Sequence, residues 1–126
     1  MQESIPGSIA SPSGNQIAYV RTNGKTPGVI FCGGYMSDMT GTKALSLEAL
    51  CREINHSFLR FDYSGHGASG GLFKDGTISS WTQDTLTVLD KIVTGPQILV
   101  GSSMGGWIIL LVALARKNLS LIHISE

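Results

Sequence analysis

The sequence has little that would suit it to a highly charged partner or a lipid bilayer. Nine basic and nine acidic residues give its 126 residues a formal net charge of zero, and no basic stripe indicates nucleic-acid binding. The longest apolar run, Trp107 to Ala115, is too short to cross a bilayer and ends at Arg116. We therefore expect a globular protein with no membrane span and no nucleic-acid partner.

Cysteine is also scarce. Cys32 and Cys51 form no Cys-x-x-Cys pair and have no clustered histidines, so we predict no metal site, and we expect both residues to be buried free thiols. Residues 1–6 contain neither a signal peptide nor an arginine-rich transit segment. The predicted location is cytoplasmic, and the alternative is mitochondrial if a presequence is missing from this sequence.

A serine motif lies between a predicted strand and a predicted helix. The segment Gly101-Ser102-Ser103-Met104-Gly105 follows the apolar run Ile98 to Val100 and precedes the apolar stretch that begins at Trp107. A serine on a sharp, strained turn needs small neighbours two positions before and after it. Of the two adjacent serines only Ser103 meets this condition, because Ser102 has Val100 and Met104 in those places. We predict that Ser103 is a nucleophile and that Ser102 has no chemical role. The alternative is a small-residue turn that only packs helix on strand.

A second glycine motif supplies a candidate for charge stabilisation. Gly33-Gly34-Tyr35 follows the apolar run Val29 to Cys32, where a buried strand should run out into a loop. In acyl transfer, two backbone N–H groups stabilise the negative oxygen of the tetrahedral intermediate, one after the nucleophile and one in the loop after the third strand. The predicted donors are Met104 and Tyr35, with Met36 as the alternative to Tyr35.

A third glycine-rich segment, residues 65–70, formally matches a dinucleotide fingerprint. The fingerprint requires a helix to start at once, but the loop continues to Gly76, so we predict no dinucleotide and no other cofactor. His66 precedes the serine, whereas in this topology the base follows the nucleophile. We therefore interpret His66 as structural and Asp62 as a hydrogen-bond acceptor that shapes the loop.

Strand and helix patterns alternate along the chain. Apolar periodicity predicts the following elements: a hairpin of strands 7–10 and 15–20, strand 29–32, helix 43–54, strand 58–61, helix 77–93, strand 97–100 and helix 104–116. The apolar stripe of the first helix comprises Ala44, Leu47, Leu50, Cys51 and Ile54. Trp107 is expected in the core, with the lining of an acyl pocket as the alternative. This alternation predicts an α/β fold, with a parallel sheet covered by helices on both faces and an antiparallel hairpin at one edge.

Three segments in order resemble the abhydrolase domain-containing protein 10 family and its bacterial relatives. They are residues 38–45, 60–65 and 95–107, and the resemblance covers roughly residues 17–117. It implies the N-terminal half of an α/β-hydrolase fold and a serine hydrolase with Ser103 as nucleophile. The substrates it implies are acyl esters or thioesters, including S-palmitoyl-cysteine on proteins and acyl glucuronides. The family is mitochondrial in animals and cytoplasmic in bacteria.

The family's catalytic acid and histidine have no counterpart in this sequence, because both lie beyond the sixth strand. We therefore interpret residues 1–117 as the N-terminal part of a single domain, expected to be inactive alone, and residues 118–126 as a non-native tail. His123 is then a poor candidate for the base. The alternative is that residues 119–124 form a genuine sixth strand.

Other functions compete with the palmitoyl thioesterase. They are a non-catalytic binding module that keeps the turn for packing, and another esterase or peptidase of the same fold. Epoxide or haloalkane opening would need an aspartate at position 103, because its intermediate is an alkyl ester.

Overall fold

Strands and helices alternate along the chain in the computed structural model, which describes residues 3–117 and 121–125. The elements are β1 (Ser4–Ala10), β2 (Gln16–Thr22), β3 (Lys25–Cys32), α1 (Thr42–Glu53), β4 (His56–Phe61), a single 3₁₀ turn (Phe73–Asp75), α2 (Ile78–Lys91), β5 (Gln97–Gly101), α3 (Met104–Ala115) and β6 (Leu121–Ser125).

The strands form one sheet in the order β1-β2-β4-β3-β5-β6. β1 and β2 form the predicted antiparallel hairpin, and β2 pairs antiparallel with β4. β3 lies parallel between β4 and β5, and β5 pairs parallel with β6. The sheet is therefore mixed, with its parallel part centred on β3. The last five residues of β3 are all buried, as expected for a parallel strand covered on both faces.

Alternate residues of β3 face two separate hydrophobic clusters. Ile30 and Cys32 belong to the larger cluster, to which α2 and α3 contribute Trp81, Val88, Leu89, Ile108, Ile109 and Val112. Val29 and Phe31 belong to the smaller one, together with Ala44 and Cys51 of α1. The predicted layering, with helices on both faces of the sheet, is confirmed. In the described part of the chain, no helix has the length and apolarity needed to span a membrane.

The inward face of α1 differs from the predicted stripe. Ala44 and Cys51 are buried, but Leu50 and Ile54 are about half exposed. Glu48 takes a buried position, and its carboxylate accepts a hydrogen bond from Arg60 Nε at 2.9 Å. Because Arg60 lies on β4, the side of α1 that carries Glu48 faces the sheet. The more apolar side, with Leu50 and Ile54, is partly exposed to solvent.

Trp107 was predicted to lie in the core, and this is wrong: its side chain is 57% exposed. α3 meets the sheet through Ile108, Ile109 and Val112. Trp107 therefore lies on the outer stripe of the helix with Leu110 and Leu114, which are also exposed.

Several strands extend beyond the apolar runs from which they were predicted. β3 begins at Lys25, because its polar start pairs with His56 of β4. β6 runs beside β5 from Leu121 to Ser125, as the alternative for residues 119–124 predicts. Residues 118–120 and 126, and the side chain of His123, lie outside the described residues.

Candidate active site

Ser103 lies at the bend where β5 passes into α3. The backbone of Ser103 has a φ of 57° and a ψ of −119°. Among the described non-glycine residues, Met36, Asn55 and Ser103 have a positive φ. Such a conformation costs an L-residue on the order of 1–3 kcal/mol and persists only where surrounding contacts impose it. The side chain is exposed and does not cap the helix. The predicted sharp turn is present, with its hydroxyl accessible.

The glycines on either side of Ser103 allow three backbone segments to meet. A Cβ on Gly101 would overlap the carbonyl group of Gly105, and a Cβ on Gly105 would overlap the carbonyl oxygen of Cys32. The N–H of Ser102 donates to that same Cys32 oxygen at 3.1 Å. The first turn of α3 therefore packs directly on the ends of β5 and β3, which explains the spacing of the motif.

The loop that follows β3, residues 33–41, lies beside this bend and is called the β3 loop below. A Cβ on Gly34 would lie 3.4 Å from Ser103 Cβ. Met104 begins α3, so its N–H has no acceptor within the helix and lies at the positive end of the helix dipole. Among residues 3–117, the N–H of Tyr35 likewise donates to no protein acceptor. Two donors are thus available near one hydroxyl.

Met36, the alternative donor, is already engaged. Its N–H donates to His66 Nε2 at 3.3 Å. Of the two candidates in the β3 loop, this leaves the N–H of Tyr35 for an oxyanion.

His66 lies in the loop after β4 and is buried, with 4% of its surface exposed. Its Nδ1 is 3.0 Å from the carbonyl oxygen of Ser64, and its Nε2 accepts from Met36. Both ring nitrogens therefore contact backbone groups. This arrangement agrees with a structural role for His66, and nothing in it offers a base to Ser103.

Asp62 joins the β3 loop to the loop after β4. Its Oδ1 accepts from the N–H of Met39 at 2.8 Å, and its Oδ2 accepts from the N–H of Ala68 at 2.9 Å. Burial raises the pKa of this carboxyl, while the two N–H donors oppose the shift. Asp62 is thus the loop-shaping acceptor that the sequence predicts.

Two contacts near the site have no signal in the sequence. The Tyr63 hydroxyl donates to the Gly33 carbonyl oxygen at 2.9 Å, which fixes the start of the β3 loop. Lys43 Nζ donates to Ser102 Oγ at 3.2 Å, at the edge of a cleft of about 240 Å³ between the β3 loop and the start of α1. The hydroxyl of Ser102 therefore has a structural partner.

The two cysteines are free and buried, as predicted. Burial raises the pKa of the Cys32 thiol to about 12, so this group stays protonated at neutral pH and is a poor nucleophile. Among the described residues, no group of three His, Cys, Asp or Glu side chains is arranged to hold a metal ion.

A profile described as the alpha/beta hydrolase family matches residues 29–124. The chain belongs to the alpha/beta hydrolase family. In this family, G-x-S-x-G at a strand-to-helix turn presents a nucleophile at the top of the sheet, and a loop after the third strand contributes to the oxyanion hole. Ser103 and the β3 loop occupy these positions.

Individual proteins are similar to this chain over most of its length. The mouse protein named palmitoyl-protein thioesterase ABHD10, mitochondrial, is 50% identical over 111 residues, covering 86% of this chain and 37% of the mouse protein. The mouse structure of alpha/beta hydrolase domain-containing protein 10 has a TM-score of 0.91 at 45% identity, covering 95% of this chain and 48% of that one. A protein of known structure from Agrobacterium vitis S4 has a TM-score of 0.85 at 42% identity, covering 98% and 50%. The chain thus spans half or less of the length of these relatives.

Proposed function

We propose that this chain carries the nucleophile and the oxyanion hole of a serine hydrolase that cleaves carboxylic esters and thioesters. The observation that supports this most directly is the backbone of Ser103, which is strained to a φ of 57° while its side chain is exposed at the start of α3. A turn that served only for packing would have no need of a strained residue with an accessible hydroxyl.

In the proposed mechanism, Ser103 Oγ attacks the carbonyl carbon of the substrate while a general base takes its proton. The carbonyl oxygen becomes an oxyanion between the N–H groups of Met104 and Tyr35, each worth roughly 3–4 kcal/mol in the transition state. The alcohol or thiol then leaves with a proton, which yields an acyl-enzyme on Ser103. Water hydrolyses this ester through a second, equivalent intermediate.

The proposed substrates are S-palmitoyl-cysteine on proteins and acyl glucuronides. The first follows from the relatives named palmitoyl-protein thioesterase, and the second from the family resemblance alone. The β3 loop supports an acyl substrate, because Tyr35 and Met36 expose 59% and 71% of their surface directly after Gly34, which lies beside Ser103, and can line the path of an apolar chain.

We further propose that residues 1–117 form the N-terminal part of one hydrolase domain, and that the catalytic acid and histidine belong to sequence outside this chain. His66 supports this, since both of its ring nitrogens already contact backbone groups. Loss of a triad member lowers turnover by about 10⁴–10⁶, so we expect no Ser103-dependent esterase activity from the 126 residues alone.

Two proposals for residues 118–126 are open, a non-native tail and a native sixth strand. The parallel pairing of β6 with β5 supports the sixth strand, and the resemblance, which ends near residue 117, supports the tail. The genomic sequence that follows Lys117 decides between them, and it also defines the full-length protein used in the experiments below. Its location, cytoplasmic or mitochondrial as in the names of the animal relatives, can be read from fractionation of its native cells.

The test is labelling of the full-length protein with a fluorophosphonate probe, together with turnover of a p-nitrophenyl ester and an S-palmitoylated peptide. We expect wild type and Ser102→Ala to label and turn over, and Ser103→Ala to do neither. Ser102→Ala is a matched control, because it removes a neighbouring hydroxyl that already contacts Lys43. If wild type fails to label, a non-catalytic binding module is the better interpretation. Ser103-dependent turnover by the 126 residues alone would overturn the proposal of an external acid and histidine.

A further inference from the structure

We propose that His66 is a positioning residue: its Nε2 holds the Met36 N–H and thereby orients the β3 loop so that the Tyr35 N–H is directed at the oxyanion. This inference rests on the proposed hydrolase function. It assigns a task to a buried histidine outside the nucleophile motif.

Successive peptide groups of the β3 loop are each held by one hydrogen bond. The Gly33 carbonyl accepts from the Tyr63 hydroxyl at 2.9 Å. The Gly34 carbonyl accepts from the N–H of Ser37 at 3.2 Å. The Met36 N–H donates to His66 at 3.3 Å. The Gly34 carbonyl and the Tyr35 N–H belong to the same peptide group, in which the C=O and the N–H point in opposite directions. The turn that holds the Gly34 carbonyl therefore directs the Tyr35 N–H away from that turn.

His66 supplies the restraint on the peptide that follows Tyr35. Met36 has a φ of 58°, a conformation that a non-glycine residue adopts only when other contacts hold it. Without an acceptor for its N–H, the peptide between Tyr35 and Met36 is free to rotate toward a more relaxed conformation. Such a rotation changes ψ of Tyr35 and loosens the position of the oxyanion donor.

The hydrogen bonds also assign the tautomer of His66. Nε2 can accept from Met36 only if it carries no proton, and Nδ1 then donates its proton to the Ser64 carbonyl oxygen at 3.0 Å. The rings of Tyr63, Phe73 and Trp81 surround the imidazole, with centroids 5.5, 5.1 and 5.1 Å away. This packing fixes the ring so that Nε2 faces the β3 loop.

Two substitutions separate the hydrogen bond from the packing. In His66→Gln, the side-chain carbonyl reaches the position of Nε2 and can accept from Met36. In His66→Asn, the shorter amide reaches only the position of Nδ1 and can donate to Ser64. Both lose the aromatic ring, so we expect similar losses of thermal stability. His56→Asn is the matched control, because His56 contacts the Pro27 carbonyl near the start of β3, remote from the carboxyl ends of the strands.

In the full-length protein, we expect His66→Asn to lower kcat by about tenfold to a hundredfold with KM changed by less than about twofold, because an oxyanion donor acts on the transition state. His66→Gln should recover kcat to within about threefold of wild type, and His56→Asn should match wild type. Equal kcat values for His66→Asn and His66→Gln would overturn the inference.

A measurement independent of activity separates this inference from the proposed function. Amide hydrogen exchange of Met36 should be at least about tenfold faster in His66→Asn than in wild type or His66→Gln, because only His66→Asn lacks the acceptor. If wild type shows no Ser103-dependent turnover, the proposed function fails, and exchange still decides whether His66 holds the loop. Equal exchange rates in the two variants would refute that role.

Discussion

Replacing Gly105 by alanine is expected to destabilise the protein, although alanine normally stabilises a helix relative to glycine. The usual gain is about 0.5–1 kcal/mol. Here the new methyl group would overlap the carbonyl oxygen of Cys32 and come within 2.8 Å of that of Gly33. These are backbone atoms of the central strand and its loop, so they cannot move aside as a flexible side chain would. Overpacking typically costs about 1–3 kcal/mol; taking the upper end, we expect a net loss of about 2 kcal/mol.

Urea unfolding of the full-length protein, followed by tryptophan fluorescence, measures this loss as a lower midpoint at unchanged slope. Gly33→Ala is the matched control. Its Cβ would meet only ordinary contacts at 3.8 Å and beyond, so its stability should stay within about 0.5 kcal/mol of wild type or rise slightly. If Gly105→Ala is as stable as wild type or more stable, helix propensity outweighs the overlap and our account of the motif's spacing is wrong.

Three further predictions concern strain, burial and charge. Ser103→Gly should melt at a higher temperature than Ser103→Ala, because glycine relieves about 1–2 kcal/mol of backbone strain; equal melting temperatures would argue against a strained bend. Cys32, with a pKa of about 12, should resist iodoacetamide at pH 8 in the folded protein and react in urea, and rapid labelling of the native state would contradict its burial. Glu48→Ala should cost about 3 kcal/mol by leaving the largely buried guanidinium of Arg60 without its carboxylate partner, whereas Glu53→Ala, on the exposed end of the same helix, should cost under about 0.5 kcal/mol; similar urea midpoints for the two would show that the pair adds little.

The parts of the fold that follow from local chemistry were predictable. The position of Ser103 follows from sterics, because only small residues two places on either side permit the bend. The parallel core follows from short apolar runs such as Val29 to Cys32, which alternate with helical patterns. The loop-shaping role of Asp62 follows from its place between a strand and a glycine-rich turn.

Features that depend on partners distant in the sequence were not predictable. α3 is apolar nearly all round from Trp107 to Ala115, so its periodicity does not say which side meets the sheet. Glu48 is buried because Arg60 on β4 faces it, and no pattern within α1 reveals that. The burial of His66 depends on rings brought in by Phe73 and Trp81, which the sequence alone does not assign to one cluster.

The hydrogen bond from Ser102 to the carbonyl of Cys32 has a kinetic consequence. It joins positions separated by two helices and two strands, so the bend at Ser103 cannot be enforced until β3 and β5 have paired. Pairing of parallel strands distant in the chain is among the slower steps of folding. We therefore expect the bend to form late in folding, so that a chain in which β3 and β5 have not yet paired has no strained serine.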